Sequence, residues 1–103
     1  MGLDTAQPPP LWLYVFEQYG CDACAEAQPH LARLRAKHPL RVIVIELHVD
    51  QRAWEDITGW TPRFTPGYAL IDREGSEKKL IKKATGTMTY DQLVDWIGKE
   101  NLA

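Results

Sequence analysis

Residues 11–24 read LWLYVFEQYGCDAC, and the order of residue types within them decides the fold. Leu11 to Phe16 is a run of apolar, aromatic and β-branched side chains, the composition of a buried strand. Tyr19-Gly20 breaks the run, and a helix is predicted to start at Cys21 or Asp22. Its apolar positions Ala27, Leu31 and Leu34 fall at i, i+4 and i+7 and make one inward stripe. Pro29 lies inside that pattern and is expected to kink the helix, because its ring removes a backbone hydrogen bond. His38-Pro39 ends it.

Working outward, residues 1–10 end in Pro8-Pro9-Pro10 and carry no apolar period, which predicts a flexible arm ahead of a single domain over residues 11–103. Val42 to Val49 (VIVIELHV) is almost continuously apolar, as expected of a central parallel strand covered on both faces. Asp50 can cap a short helix running to Thr58, with Gly59 as the stop. The loop from Trp60 to Gly67 contains Pro62 and Pro66. Tyr68 to Ile71 and Leu80 to Ala84 read as a hairpin joined through residues 72–76. Thr89-Tyr90-Asp91-Gln92 is a capping box, and Tyr90, Leu93, Val94 and Ile97 give the last helix its buried face. The predicted order is βαβαββα: an α/β fold with a mixed central sheet of about four strands flanked by helices.

The chain has 103 residues, 45% hydrophobic and 25% charged, with a formal net charge of -2. That is enough for one ordinary globular core. It leaves no basic face for nucleic acid; Lys78, Lys79, Lys82 and Lys83 read as a solvated hairpin strand. No run approaches the roughly 20 apolar residues of a membrane span. The first eleven residues lack the basic start and apolar run of a signal peptide. A cytoplasmic location is therefore expected, or a periplasmic one if a leader has been removed, and a monomer is expected.

Both cysteines lie in one C-x-x-C, which in a reducing compartment points to redox chemistry or metal and not to a structural staple. The thiolate is the nucleophile in disulfide exchange. Cys21 sits where a strand hands over to a helix N-terminus, whose free N–H groups favour negative charge by roughly 0.5–2 kcal/mol. Cys24 lies one turn further on the same side, so Cys21 is assigned as attacking and Cys24 as resolving. Asp22 opposes this: a carboxylate about 6 Å away disfavours the thiolate by roughly 0.7–2.8 kcal/mol. The Cys21 thiol is therefore expected to lie only modestly below an ordinary one, which goes with a reducing couple. The active group is then the Cys21–Cys24 dithiol–disulfide, with no separate cofactor and no metal. His30, His38 and His48 supply no spacing for a four-ligand zinc site. His30 and His38 read as solvated helix residues and His48 as a strand-end hydrogen-bonding group.

With strand, C-x-x-C and helix in place, the chain from about Leu11 to Ala103 resembles the thioredoxin family. Pro29, five residues after Cys24, matches the family's helix proline. Thr65-Pro66 stands where the family has its cis-proline beside the cysteines. His48-Val49-Asp50-Gln51 resembles the strand end before the second helix, and Gly75 and Gly86 resemble turn glycines. The family's Trp-Cys-Gly-Pro-Cys is Gly20-Cys21-Asp22-Ala23-Cys24 here, so Asp22 and Ala23 modulate the pair. The family's buried aspartate, six residues before the first cysteine, is Val15, and the lysine that partners it is Glu46.

The resemblance implies a thioredoxin-like fold and reduction of disulfides in protein substrates, with a thioredoxin-reductase-like enzyme or glutathione as reductant. Glu46 is then a candidate for the buried carboxylate that takes the proton of Cys24, its pKa raised by burial; otherwise it is a structural pair. Glu17, four residues before Cys21, is the second candidate, otherwise a solvated strand-end residue. Thr65, Pro66, Trp60 and Tyr19 are candidate substrate-binding residues. Phe64 reads as core, and Trp12, Trp54 and Trp96 as packing. Two other functions fit the same motifs: a glutaredoxin-like enzyme using glutathione, although a Gly-Gly-x-x-Asp motif is missing around Thr85-Gly86-Thr87-Met88, and a redox-sensing partner-binding module.

Overall fold

A computed structural model describes residues 9–74 and 76–103. Most of the predicted N-terminal arm and the turn residue Gly75 lie outside the described residues. The elements are β1 (Leu11–Phe16), α1 (Asp22–Lys37), β2 (Val42–Leu47), α2 (Gln51–Thr58), β3 (Gly67–Glu74), β4 (Glu77–Thr85), α3 (Tyr90–Ile97) and α4 (Lys99–Leu102). The sheet order is β2-β1-β3-β4. β1 pairs parallel with β2 and antiparallel with β3, and β3 pairs antiparallel with β4.

The period-two alternation of β1 divides the core. Leu13 and Val15 point to one face, where Ala27, Leu31 and Leu34 of α1 and Leu93 and Ile97 of α3 close over them. Tyr14 and Phe16 point to the other face, against Trp54 of α2. This corrects one expectation. β2, read as a central strand, lies at the sheet edge, and β1 is central. Its continuous apolar run reflects helices on both faces of the sheet, a condition that holds at the edge as well as in the middle. At the opposite edge the four lysines of β4 are exposed, which discourages pairing with another chain.

Local chemistry sets the boundaries. Asp50 accepts a hydrogen bond from the Ala53 N–H at 2.8 Å and caps α2, and Gly59 ends it in the left-handed region at φ 75°. Thr89 and Gln92 form the reciprocal capping box of α3. Pro29 stands inside α1, whose buried stripe is Cys24, Ala27, Leu31 and Leu34. His30 and His38 are not the solvated helix residues that sequence reading expects. His30 Nδ1 accepts from the Tyr90 N–H at 3.0 Å, and His38 Nε2 shares a hydrogen bond with the Tyr90 hydroxyl at 2.7 Å. Both half-buried imidazoles tie α1 to α3. Among the described residues no helix is long and apolar enough to cross a membrane.

Candidate active site

Cys21 is the N-cap of α1, and Cys21 and Cys24 are joined as a disulfide with Cα atoms 5.2 Å apart, an ordinary spacing for such a pair. Gly20 precedes it at φ 77°, a conformation that side-chain-bearing residues rarely adopt. The turn out of β1 thus accounts for glycine at this position. The two sulfurs differ in access: Cys24 is buried and Cys21 is half-buried. Two donors converge on Cys21 Sγ, the Cys24 backbone N–H at 3.0 Å and the Thr65 hydroxyl at 3.2 Å. Both would stabilise negative charge on that sulfur.

Thr65 is brought there by the loop between α2 and β3, and its peptide bond to Pro66 is cis. Trp60, at the start of this loop, packs edge-on against Trp54 with ring centroids 6.3 Å apart. The next loop also meets the site, because the Thr87 hydroxyl donates to the Ala23 carbonyl at 2.9 Å. Tyr19 is 90% exposed and Phe64 69% exposed. Sequence reading places Phe64 in the core; the loop instead turns it outward, since Pro62 and Pro66 occupy the buried positions on either side. Asp22 is exposed beside the pair.

Beneath the disulfide lies a polar cluster that the sequence indicates only in part. Glu17 is 2% exposed, not solvated as the strand-end reading had it. Alternation explains this: Leu13, Val15 and Glu17 share one face of β1. His48 Nε2 stands 3.2 Å from Glu17 Oε1. The Gln28 amide donates to Glu17 and also to Glu46. Arg35 Nη2 binds Glu46 Oε2 at 2.7 Å. Val15 lies opposite Glu46 in the β1–β2 register, as the resemblance implies. Sequence reading missed Gln28 and Arg35, although Cys21, Gln28 and Arg35 recur every seven residues, two helical turns apart on one face. It likewise missed that Glu46 continues the β2 face of Val42 and Val44, with His48 following just beyond the strand.

The two carboxyls part in their proton affinity. Burial, then the nearby Glu46 carboxylate, raises Glu17 above its ordinary value of 4.5. Glu46 is lowered: burial acts to raise it, but hydrogen bonds from Arg35 and Gln28 and the Arg35 charge outweigh this. The expectation that burial lifts Glu46 toward neutrality is therefore overturned by Arg35, and the elevated carboxyl is Glu17. On β3, burial and then the nearby Glu17 carboxyl push the Tyr68 phenol up to about 12. Among the described residues no cluster of three or more acidic, histidine or cysteine side chains could hold a metal ion.

Opposite pH slopes follow. Between 4.5 and the raised value of Glu17, the folded state holds more protons than the unfolded, so its contribution to stability falls as pH rises. The contribution of Glu46 is present above 4.5 and is lost as pH falls through its lowered folded value. In urea unfolding across pH, Glu46→Gln is expected to lower the midpoint at neutral pH, with the deficit closing in acid. Glu17→Gln is expected to gain on the wild type as pH rises. Parallel curves for all three proteins would contradict the assignment.

No protein-family model matches the chain, and no curated protein matches it in sequence. Solved structures do. Thioredoxin-2, a component of the malaria parasite protein secretion machinery, is similar at a TM-score of 0.69 and 13% identity, covering 91% of this chain and 86% of its own. Chloroplastic thioredoxin z is similar at 0.67 and 15% identity, covering 87% and 77%. The germline-specific thioredoxin Deadhead of Drosophila melanogaster is similar at 0.67 and 19% identity, covering 87% and 80%. This chain has the thioredoxin fold, with a disulfide of C-x-x-C spacing at the start of its first helix.

Proposed function

We propose that the chain is a thiol–disulfide oxidoreductase that reduces disulfides in protein substrates through Cys21 and Cys24. The observation that carries this reading is the asymmetry of the pair: Cys21 is half-buried at the N-cap with two donors on its sulfur, and Cys24 is buried behind it. In the reduced protein the Cys21 thiolate attacks one sulfur of a substrate disulfide. A Cys21–substrate S–S bond forms, and the other substrate sulfur leaves as a thiolate and takes a proton. Cys24 loses its proton to the Glu17 carboxylate and attacks Cys21 Sγ. The Cys21–Cys24 bond forms, the mixed disulfide breaks, and the second substrate sulfur departs with the electron pair. The substrate gains two electrons and the protein becomes the disulfide.

Glu17 is assigned this base role over Glu46 because it lines the same groove as both cysteines, and because Glu46 is engaged by Arg35. Thr65 and Pro66 beside Cys21, with exposed Tyr19 and Phe64, offer polar backbone and aromatic surface to an extended polypeptide. Trp60 supports that surface from within. The oxidised protein is then returned to the dithiol by a reductase of the thioredoxin-reductase kind or by glutathione.

The test is equilibration across dithiol/disulfide buffers, with the cysteine state read by thiol trapping and mass. A couple at or below the cytosolic glutathione poise is expected. A couple well above it would make the chain an oxidant or isomerase and overturn the reductase reading.

A further inference from the structure

Glu17 is enclosed, and a base that receives a proton on every turnover must also lose it. Four groups face its carboxyl from the surrounding elements: Gln28 from α1, Glu46 from β2, His48 from just beyond β2 and Tyr68 from β3. An amide carries no proton away at neutral pH. Glu46 is a weak base, neutralised by Arg35 at 2.7 Å. Tyr68 is fully buried and its phenol is pushed up to about 12, so it carries no proton to water at neutral pH. His48 differs from all of these. Its Nε2 is 3.2 Å from Glu17 Oε1, while its side chain is 43% exposed.

The surroundings of His48 hold it in that position. The Tyr19 ring lies over the imidazole with centroids 5.0 Å apart. The Glu17 backbone N–H donates to the Leu47 carbonyl at 3.0 Å, which locks the segment before His48 to the segment that carries Glu17. Both residues line the groove of about 340 Å³ that contains the two cysteines. They also line a neighbouring opening of about 390 Å³ formed by residues 17–19, 48 and 49. An imidazole can accept a proton on one ring nitrogen and release one from the other. Glu17 and His48 therefore lead from the groove that holds the buried sulfur toward open water.

We propose that His48 is the proton outlet of this site, taking from Glu17 the proton that Cys24 releases and passing it to water. One proton enters at Nε2 and one leaves Nδ1 for water; proton exchange with water then returns the ring to its Nδ1–H tautomer, so Nε2 can accept again and Glu17 is a carboxylate ready for the next thiol. His48 acts through Glu17 and does not touch substrate; it is a positioning residue. The inference rests on the reading of Glu17 as the base for Cys24, and the experiment separates the two.

Reduced protein is mixed with substoichiometric Ellman's disulfide, and the two thionitrobenzoate releases report attack by Cys21 and then by Cys24. Steady-state reduction of insulin by a dithiol then reports repeated turnover, with imidazole varied at constant ionic strength and pH. Glu17→Gln is expected to slow the second release by roughly 100-fold with the first unchanged. An unchanged second release would overturn both the Glu17 reading and the outlet. His48→Ala is expected to slow steady-state turnover by roughly tenfold, with imidazole restoring it, while the wild type ignores imidazole. His48→Gln, which keeps a hydrogen-bond donor but carries no proton, is expected to stay slow. If Glu17→Gln is impaired but His48→Ala turns over at the wild-type rate, or is slow and insensitive to imidazole, the Glu17 reading stands and the outlet is overturned.

Discussion

Replacing Cys24 by serine is expected to turn the chain from a reagent that turns over into one that captures its substrate. Cys21 keeps its place at the α1 N-cap and its Thr65 donor, so the first attack proceeds. The mixed disulfide then lacks its internal nucleophile and awaits an external thiol. Positioned intramolecular groups act at very high effective concentrations, so release into millimolar thiol should slow by at least about a thousandfold. Cys21→Ser should abolish the first step as well, because Cys24 is 5% exposed and cannot meet a protein disulfide. The measurement is mass spectrometry of each variant after incubation with a disulfide-bonded protein. A covalent adduct is expected with Cys24→Ser and none with Cys21→Ser. The reverse pattern would exchange the assigned roles of the two cysteines.

The second large effect concerns stability. Trp54 is fully buried on the α2 side of the sheet. It meets Phe16 with ring centroids 5.2 Å apart and Trp60 at 6.3 Å. Trp54→Ala removes the centre of that half of the core and should cost about 3–5 kcal/mol, a large share of the roughly 5–15 kcal/mol that holds a domain folded. Its indole N–H has no hydrogen-bond partner among the described residues. Trp54→Phe therefore loses volume without orphaning a polar group, and should cost much less. Urea unfolding of the two variants measures the difference. Equal losses would mean that the indole N–H, and not the packing, is what the site uses. Because Trp60 opens the loop that carries Thr65 and Pro66, Trp54→Ala should also loosen the donor on Cys21 and slow the first step of exchange.

The sequence by itself determined the elements and the reacting atoms. Leu11–Phe16, the helix over the cysteines, the Asp50 and Thr89 caps and the hairpin all follow from local rules: apolar period, capping side chains, and glycine or proline where the backbone needs them. The C-x-x-C at a strand-to-helix junction was legible for the same reason, since its chemistry depends on neighbours within one turn. Tertiary structure alone decided the rest. The place of β2 at the sheet edge depends on which strands pair, which an apolar run does not encode. The outward turn of Phe64 depends on what the loop packs against. Above all, the partition between Glu17 and Glu46 could not be read from either residue, because both are carboxylates at strand ends. It was set by Arg35, seven residues beyond Gln28 on α1, reaching Glu46 and leaving Glu17 enclosed with His48. A buried carboxyl takes its proton affinity from the charges and donors folded against it, and those come from three separate elements of the chain.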